Sequence, residues 1–327
     1  MFSEWLEMIK ARKWIKKNVP FLYSWHAYVG AELNLFDIFK KPLSVEEAAN
    51  RAAVSRNLLK TWVEVGVVLK HLKQNKSGTY QVKRLKLFPK KGSHSGALMK
   101  EMMELHIPSL LDYPELMKED SKLVFNHEKH GGTVAQASRL IEPVAYPSLK
   151  KVIRESNATA VIDVGCGSGG YLHKLANDHP ELVMTGIDNH PRVAEKAKVA
   201  CESAANVEII HADVHHWNPP MKNNDVVMLN NLLHYVKPEK RIDILSRISR
   251  WIHHKGKIVL ISPVKNSEYG KEFSSAFNSF FHAHSNLHPL PDQRELEEIA
   301  EVTHMKITQF DPIIKEGSWY LVVMENC

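Results

Sequence analysis

Residues 160–176 read AVIDVGCGSGGYLHKLA. A short apolar run meets four closely spaced glycines and then a helical pattern. Glycine allows tight turning and close backbone approach to a ligand, so the stretch predicts a strand, a turn and a helix in succession. From about residue 158 onward the same rhythm repeats. TAVIDVG, VMTGID, VEIIHAD, DVVMLNNLL, KIVLISP, KITQFDPII and SWYLVVME read as strands. YLHKLAND, PRVAEKAKVACESA, PEKRIDILSRISRWI and DQRELEEIAEVT read as helices between them. Alternating strand and helix predicts an α/β, Rossmann-like, doubly wound sheet, mostly parallel. No helix separates the last two strands, so the last strand is expected to run antiparallel. Ligands of such sheets bind at the carboxyl ends of the strands, near the switch in strand order.

Residues 1–150 have a different character, and two domains are expected, 1–150 and 151–327. A chain of 327 residues can bury two cores. Ser44 and Glu47 form a capping-box signal at SVEEAANRAA, and Ser55 caps a second helix, RNLLKTWVEVGVVLKHL. KQNKSGTYQVK reads as a hairpin around Ser77-Gly78. Helix, turn, helix and hairpin make a winged-helix-like pattern. A recognition helix would offer Arg56, Asn57 and Lys60, but Glu64 follows, and packing or dimerisation is the preferred reading over DNA binding. Pro108 and Pro114 are expected to break the helical stretch MKEMMELHIPSLLDYPELM, whose methionines read as core. Gly131-Gly132 reads as a turn before a helix spanning about 135 to 155 that bridges the domains.

Composition excludes several classes. Hydrophobic residues make up 44% and charged residues 24%, which argues against disorder. The net charge of +6 is spread along the chain, so nucleic acid is not an expected partner. The three cysteines, Cys166, Cys201 and Cys327, form neither a disulfide framework nor a C-x-x-C metal spacing, which fits a reducing, cytoplasmic setting. At the N-terminus charges interrupt every apolar run, so neither a signal peptide nor a membrane span is read there. Trp5, Met8, Ile9 and Ile15 read as one apolar stripe packing on a domain or a partner subunit.

The glycine loop fits two templates. Gly165, Gly167 and Gly170 make the G-x-G-x-x-G dinucleotide pattern; Asp163, Gly165, Gly167 and Gly169 make an acidic-x-G-x-G-x-G pattern. Asp188, 25 positions after Asp163, ends the second strand of the sheet and can accept hydrogen bonds from ribose hydroxyls. Asp163 would repel a pyrophosphate but suits a cationic ligand, or it could bond the loop's own amides. Asp213 ends the third strand and can accept from an adenine amino group. The fourth strand ends in Asn230-Asn231, followed by His234. Three carboxylates around one cleft favour a positively charged nucleoside over a phosphate-bearing one.

This set of residues resembles the class I S-adenosylmethionine-dependent methyltransferases. WHAYVGAELNLFDIF followed by KPLSVEEAANRAAVS resembles the winged-helix dimerisation domain of the small-molecule O-methyltransferases related to plant caffeate and bacterial polyketide enzymes. The resemblance implies S-adenosylmethionine as cofactor, a small-molecule acceptor and a homodimer. It implies that Gly165, Gly167 and Gly169 border the methionine part, with Asp163 beside them. Asp188 would bind the ribose, Asp213 and Val214 the adenine, and Asn230 would lie under the sulfonium end.

Methyl transfer needs in-line alignment, and a hydroxyl acceptor also loses a proton. His234 falls where the plant-type enzymes carry a catalytic histidine, but Tyr235 follows it where those enzymes usually have Asp. It is the candidate base, with a structural role as the other reading. EFSSAFNSFFHAHSNLHPLPD supplies Phe273, Phe277, Phe280, Phe281 and His284 for a substrate wall or a plain amphipathic helix. Glu268 is a candidate to orient the base. No metal is expected, since neither the adjacent histidine pairs nor His282, His284 and His288 are completed by Cys or paired carboxylates. N- or C-methylation on the same scaffold, a DNA-binding regulator that senses the cofactor, and an NAD-dependent oxidoreductase are the rival readings.

Overall fold

A computed structural model describes residues 2–83, 88–220 and 223–327. The chain divides into two units, Met1–Ile107 and Pro108–Cys327. The first holds α1 (Phe2–Lys17), α2 (Val19–Glu32), α3 (Leu35–Ile38), α4 (Val45–Ala52), α5 (Arg56–Val68), β1 (Leu72–Gln74), β2 (Tyr80–Val82) and α6 (His94–Glu101). The capping box at α4 is present: Glu47 N donates to Ser44 Oγ at 3.2 Å and Ser44 N to Glu47 Oε2 at 2.9 Å. Ser55 caps α5, and Gly78, at φ +75°, turns the hairpin. Leu35, Phe39, Leu59, Trp62, Val63 and Leu72 form the core of this unit. The basic residues of α5 have acidic neighbours, Arg56 with Glu46 at 3.6 Å and Lys60 with Glu64 at 3.9 Å. The expected apolar stripe of α1 is exposed: Trp5 is 63% and Ile15 68% accessible.

Several local expectations are corrected. Pro108 does not break its helix. A π-helical segment, Met102–His106, stands immediately before α7 (Ile107–Leu111), and such a widened turn relieves the clash of a proline ring with the preceding carbonyls. Pro114, by contrast, falls at a helix break as expected: α7 ends at Leu111, and Pro114 lies at the start of α8 (Tyr113–Glu119), where a missing N–H costs nothing. Gly131 and Gly132 lie inside α9 (His127–Ser138). The single helix expected over 135–155 is two, α9 and α10 (Glu142–Glu155).

The division between units falls near 107, not 150, because residues 108–155 pack with the second unit. Leu123 N donates to Ala283 O at 2.8 Å, and Phe125 N to Asn286 Oδ1 at 2.8 Å. Ala145, Leu149, Val152 and Ile153 of α10 join the core beside Leu172 and Met184.

The sheet of the second unit runs through β3 (Ala160–Val164), β4 (Val183–Asp188), β5 (Val207–His211), β6 (Asn224–Asn230), β7 (Ile252–Pro263), β8 (Met305–Ile314) and β9 (Trp319–Asn326). Their order is β5-β4-β3-β6-β7-β9-β8. The first five are parallel, and β9 lies antiparallel between β7 and β8. Along β3 the side chains alternate: Val161 joins one core layer, while Ile162 and Val164 join the other. The first layer includes α10, α11 (Gly170–Asp178) and α12 (Pro191–Cys201); the second includes α13 (Pro238–Ser249) and α15 (Gln293–Val302). An additional helix, α14 (Lys271–His282), follows β7. Strand order reverses at β3, so the cleft beside its carboxyl end is where a ligand can enter.

Candidate functional site

Asp163 shares a strand face with Val161, so its carboxyl points toward the layer of α10 and α11. It is buried, at 1% accessibility. Burial, then Asp188, then Glu142 push its pKa up to about 8, and Asn230, donating from Nδ2 at 3.4 Å, only partly offsets them. A carboxyl kept neutral by burial and, after it, by two neighbouring acids is one that an adjoining cation would ionise and pair with. Asn230 Oδ1 is buried with no hydrogen-bond partner.

Asp188, not Asp163, bonds the loop amides. Gly167 N donates to Asp188 Oδ2 at 3.1 Å and His190 N to Oδ1 at 2.9 Å. Burial still raises its pKa despite these bonds. Gly165, Gly167 and Gly169 all have positive φ, at +69°, +56° and +77°. A Cβ on Gly167 would meet nothing within 4 Å, so backbone conformation and not crowding requires glycine there. Gly170 has a different reason: the Glu142 carboxylate occupies the space of a Cβ, and Lys174 pairs with that carboxylate at 2.9 Å. The dinucleotide template therefore matches through a glycine that makes room for an acid.

Asp213 follows β5 and receives His215 N at Oδ1, 2.9 Å. Val214 rests half-buried against the second core layer. Gly165–Gly169, Asp188 and Asp213 with Val214 thus border one edge of the sheet at successive strand ends, β3, β4 and β5. Asn230 ends β6 beside Asp163. Open backbone at Gly167, the orphaned Asn230 oxygen and the buried Asp163, which has a hydrogen bond from Asn230 but no cation beside it, fit a nucleoside with a cationic end.

Beyond Asn230 the chain turns through Asn231 and Leu232 into a short 3-10 turn, Leu233–Tyr235. His234 is buried, its ring 4.4 Å from Tyr235 and 4.8 Å from Phe281. Its Nδ1 has no partner. Burial, then Arg241, hold its pKa down at about 3. Glu268 is exposed and gives it no carboxylate. The aromatic surface continues through α14: Phe281 lies 4.6 Å from Phe277, and both Phe273 and Phe277 contact Trp319 at 6.0 and 5.7 Å. Phe280 and His284 turn to the other side, against Phe125. Among the described residues no group of three His, Cys, Asp or Glu could hold a metal.

Sequence reasoning missed Glu142, Arg139, Arg241 and Trp319. Arg139 donates to Ser168 Oγ inside the glycine loop at 2.7 Å. Arg241 is fully buried, donates to the carbonyls of Leu233, Val236 and Pro289, and pairs with Glu295 at 2.7 Å. Only an arginine in the apolar face of a helical pattern, at α13, could have signalled the last contact set.

Residues 161–256 match the family profile described as methyltransferase domain. A carboxy-S-adenosyl-L-methionine synthase of Dichelobacter nodosus is 26% identical over 103 residues, 31% of this chain and 43% of that protein. The chain spans less than half the length of the first such curated relatives it matches. Human N-acetylserotonin methyltransferase in complex with S-adenosylmethionine superposes with TM-score 0.78, covering 97% of each chain at 17% identity. The mitomycin 7-O-methyltransferase superposes with TM-score 0.75 at 15% identity, covering 98% of this chain and 99% of that one. These two structural likenesses are likenesses of fold.

Proposed function

We propose that this chain, built around a methyltransferase domain in the class I fold, is an S-adenosylmethionine-dependent methyltransferase acting on a hydroxyl of a small molecule. The observation that carries the reading is Asp163: a buried, uncompensated carboxyl next to an open glycine loop, with Asp188 beside it. That arrangement opposes a pyrophosphate and suits a sulfonium nucleoside. When bound, the cofactor supplies an electrophilic methyl on a good leaving group. Asp188 would hold the ribose, Asp213 and Val214 the adenine, and Asp163 with Asn230 the cationic end. Phe273, Phe277, Phe281 and Trp319 offer an aromatic surface that excludes water and orients a flat acceptor. The N-terminal unit serves dimerisation, supported by the exposed apolar side chains of α1.

His234 is the proposed proton acceptor through a lone pair on its neutral ring. Its depressed basicity limits what it adds to alignment, because a base far below the acceptor's pKa takes a proton only late in the reaction. That same feature favours a second reading, methylation of an amine or carbon that needs no strong base. Isothermal titration should detect binding of S-adenosylmethionine or S-adenosylhomocysteine; binding of NADH with neither of these would sink the proposal. Once an acceptor is found, His234→Ala should lower turnover at least about tenfold if the ring takes the proton. Near-normal turnover would select the second reading.

A further inference from the structure

Asn231 sits at φ +53°, in the left-handed region that asparagine tolerates better than other residues with a Cβ. Two bonds hold it. Its N–H donates to Ile261 O on β7 at 2.7 Å, and its Oδ1 accepts from Trp319 Nε1 at 2.9 Å. Trp319 is the first residue of β9, in register with Pro263 and Ile314 of the flanking strands, so its indole is anchored to the sheet. The turn it clasps has two consequences within four residues. Leu232 packs on the glycine loop: a Cβ on Gly165 would come within 2.8 Å of Leu232 Cδ1. His234 enters the aromatic surface against Phe281.

We propose that Trp319, through its indole N–H, is a positioning residue that sets the turn after β6 and thereby aligns the floor of the cofactor loop with the acceptor surface. The inference rests on the methyltransferase reading above. Trp319 has one face toward Phe273 and Phe277 and its N–H toward Asn231, so one side chain touches the acceptor surface and governs the cofactor side through Asn231 and Leu232. Alignment of donor and acceptor is the main demand of methyl transfer, and a link between the two halves of the cleft meets it.

Trp319→Phe keeps an aromatic ring, smaller than the indole, and removes the N–H. Three quantities are read in wild type and variant: affinity for S-adenosylhomocysteine by calorimetry, the imidazole proton signals of His234 by NMR, and the melting temperature. The variant should bind S-adenosylhomocysteine about fivefold more weakly, the worth of one buried hydrogen bond, and should move the His234 signals. In an Asn231→Gly background the same change should cost less than about twofold, because glycine keeps this φ without help. A variant that melts lower but leaves both affinity and His234 signals unchanged would overturn the proposal. So would equal losses in both backgrounds, which would assign the effect to the ring and not to the bond. Should Trp319→Phe not fold, Asn231→Ala removes the acceptor of the same bond and is read against the same outcomes. If the wild type binds no S-adenosylhomocysteine, the cofactor reading fails, and the His234 signals alone decide the positioning role.

Discussion

At the residue scale, Asp163 and His234 show burial acting in opposite directions on two groups of one cleft. Asp163 holds a proton in the folded protein that the unfolded chain gives up near pH 4. Its neutral form therefore favours folding at acid pH, and that contribution declines as pH rises toward about 8. The charged form is the one a cationic ligand wants. Affinity for S-adenosylmethionine, whose sulfonium carries the positive charge, should therefore rise between pH 6 and about 8, as titration calorimetry at several pH values would show. Asp163→Asn should flatten that rise and weaken binding about tenfold, while melting no lower than wild type at pH 8. His234, with its pKa near 3, stays neutral throughout this range. A profile of kcat against pH at saturating cofactor should accordingly lack an imidazole inflection between pH 5 and 8; a clear one would mean that ligand binding raises the ring's basicity.

At the element scale, α2, α5 and the residue just before β1 meet at one histidine. His26 stacks on Trp62 at 4.1 Å and its Nε2–H donates to the Trp62 carbonyl at 3.1 Å. A carbonyl can only accept, so Nδ1 of His26 must accept from His71 Nδ1–H, 2.9 Å away. Burial, then His71, lower the pKa of His26 to about 4, with the Trp62 carbonyl working against them. The folded protein refuses a proton that the unfolded chain accepts below about 6.5, so the contribution is full above that pH and is lost toward pH 4. Thermal melts should show stability falling between pH 7 and 5, and His26→Asn should shallow the slope. Gly66 faces the ring so closely that a Cβ would stand 2.5 Å from His26 Nε2. Gly66→Ala should cost about 1–3 kcal/mol, measured by denaturant titration. The caps at Ser44 and Ser55 were legible because they are local rules; this histidine contact joins residues 36 and 45 positions apart and leaves no local signature.

For the whole molecule, the unit boundary and the proposed dimer carry the predictions. Leu149 and Ala145 are fully buried in the core of the second unit. A fragment of residues 108–327 should fold and bind S-adenosylhomocysteine; one of 151–327 should do neither, since it loses that layer, by circular dichroism and calorimetry. Trp5 and Trp14 of α1 are more than 60% exposed. If they bury against a second copy, the chain sediments as a dimer, and Trp5→Ser with Trp14→Ser converts it to a monomer. The sheet, its antiparallel last strand and the loop glycines were written locally, in the strand and helix periods and in Gly165, Gly167 and Gly169. So were the strand-end acids, because each strand's last residue lies at the same edge in a parallel sheet. Sequence could not assign 108–155 to the second unit, since an amphipathic helix displays an apolar face without naming the surface that covers it. Nor could it find Glu142 over Gly170, Arg241 on Glu295 or Trp319 on Asn231. Each joins elements far apart in the chain, and their separation and orientation exist only after the layers have packed.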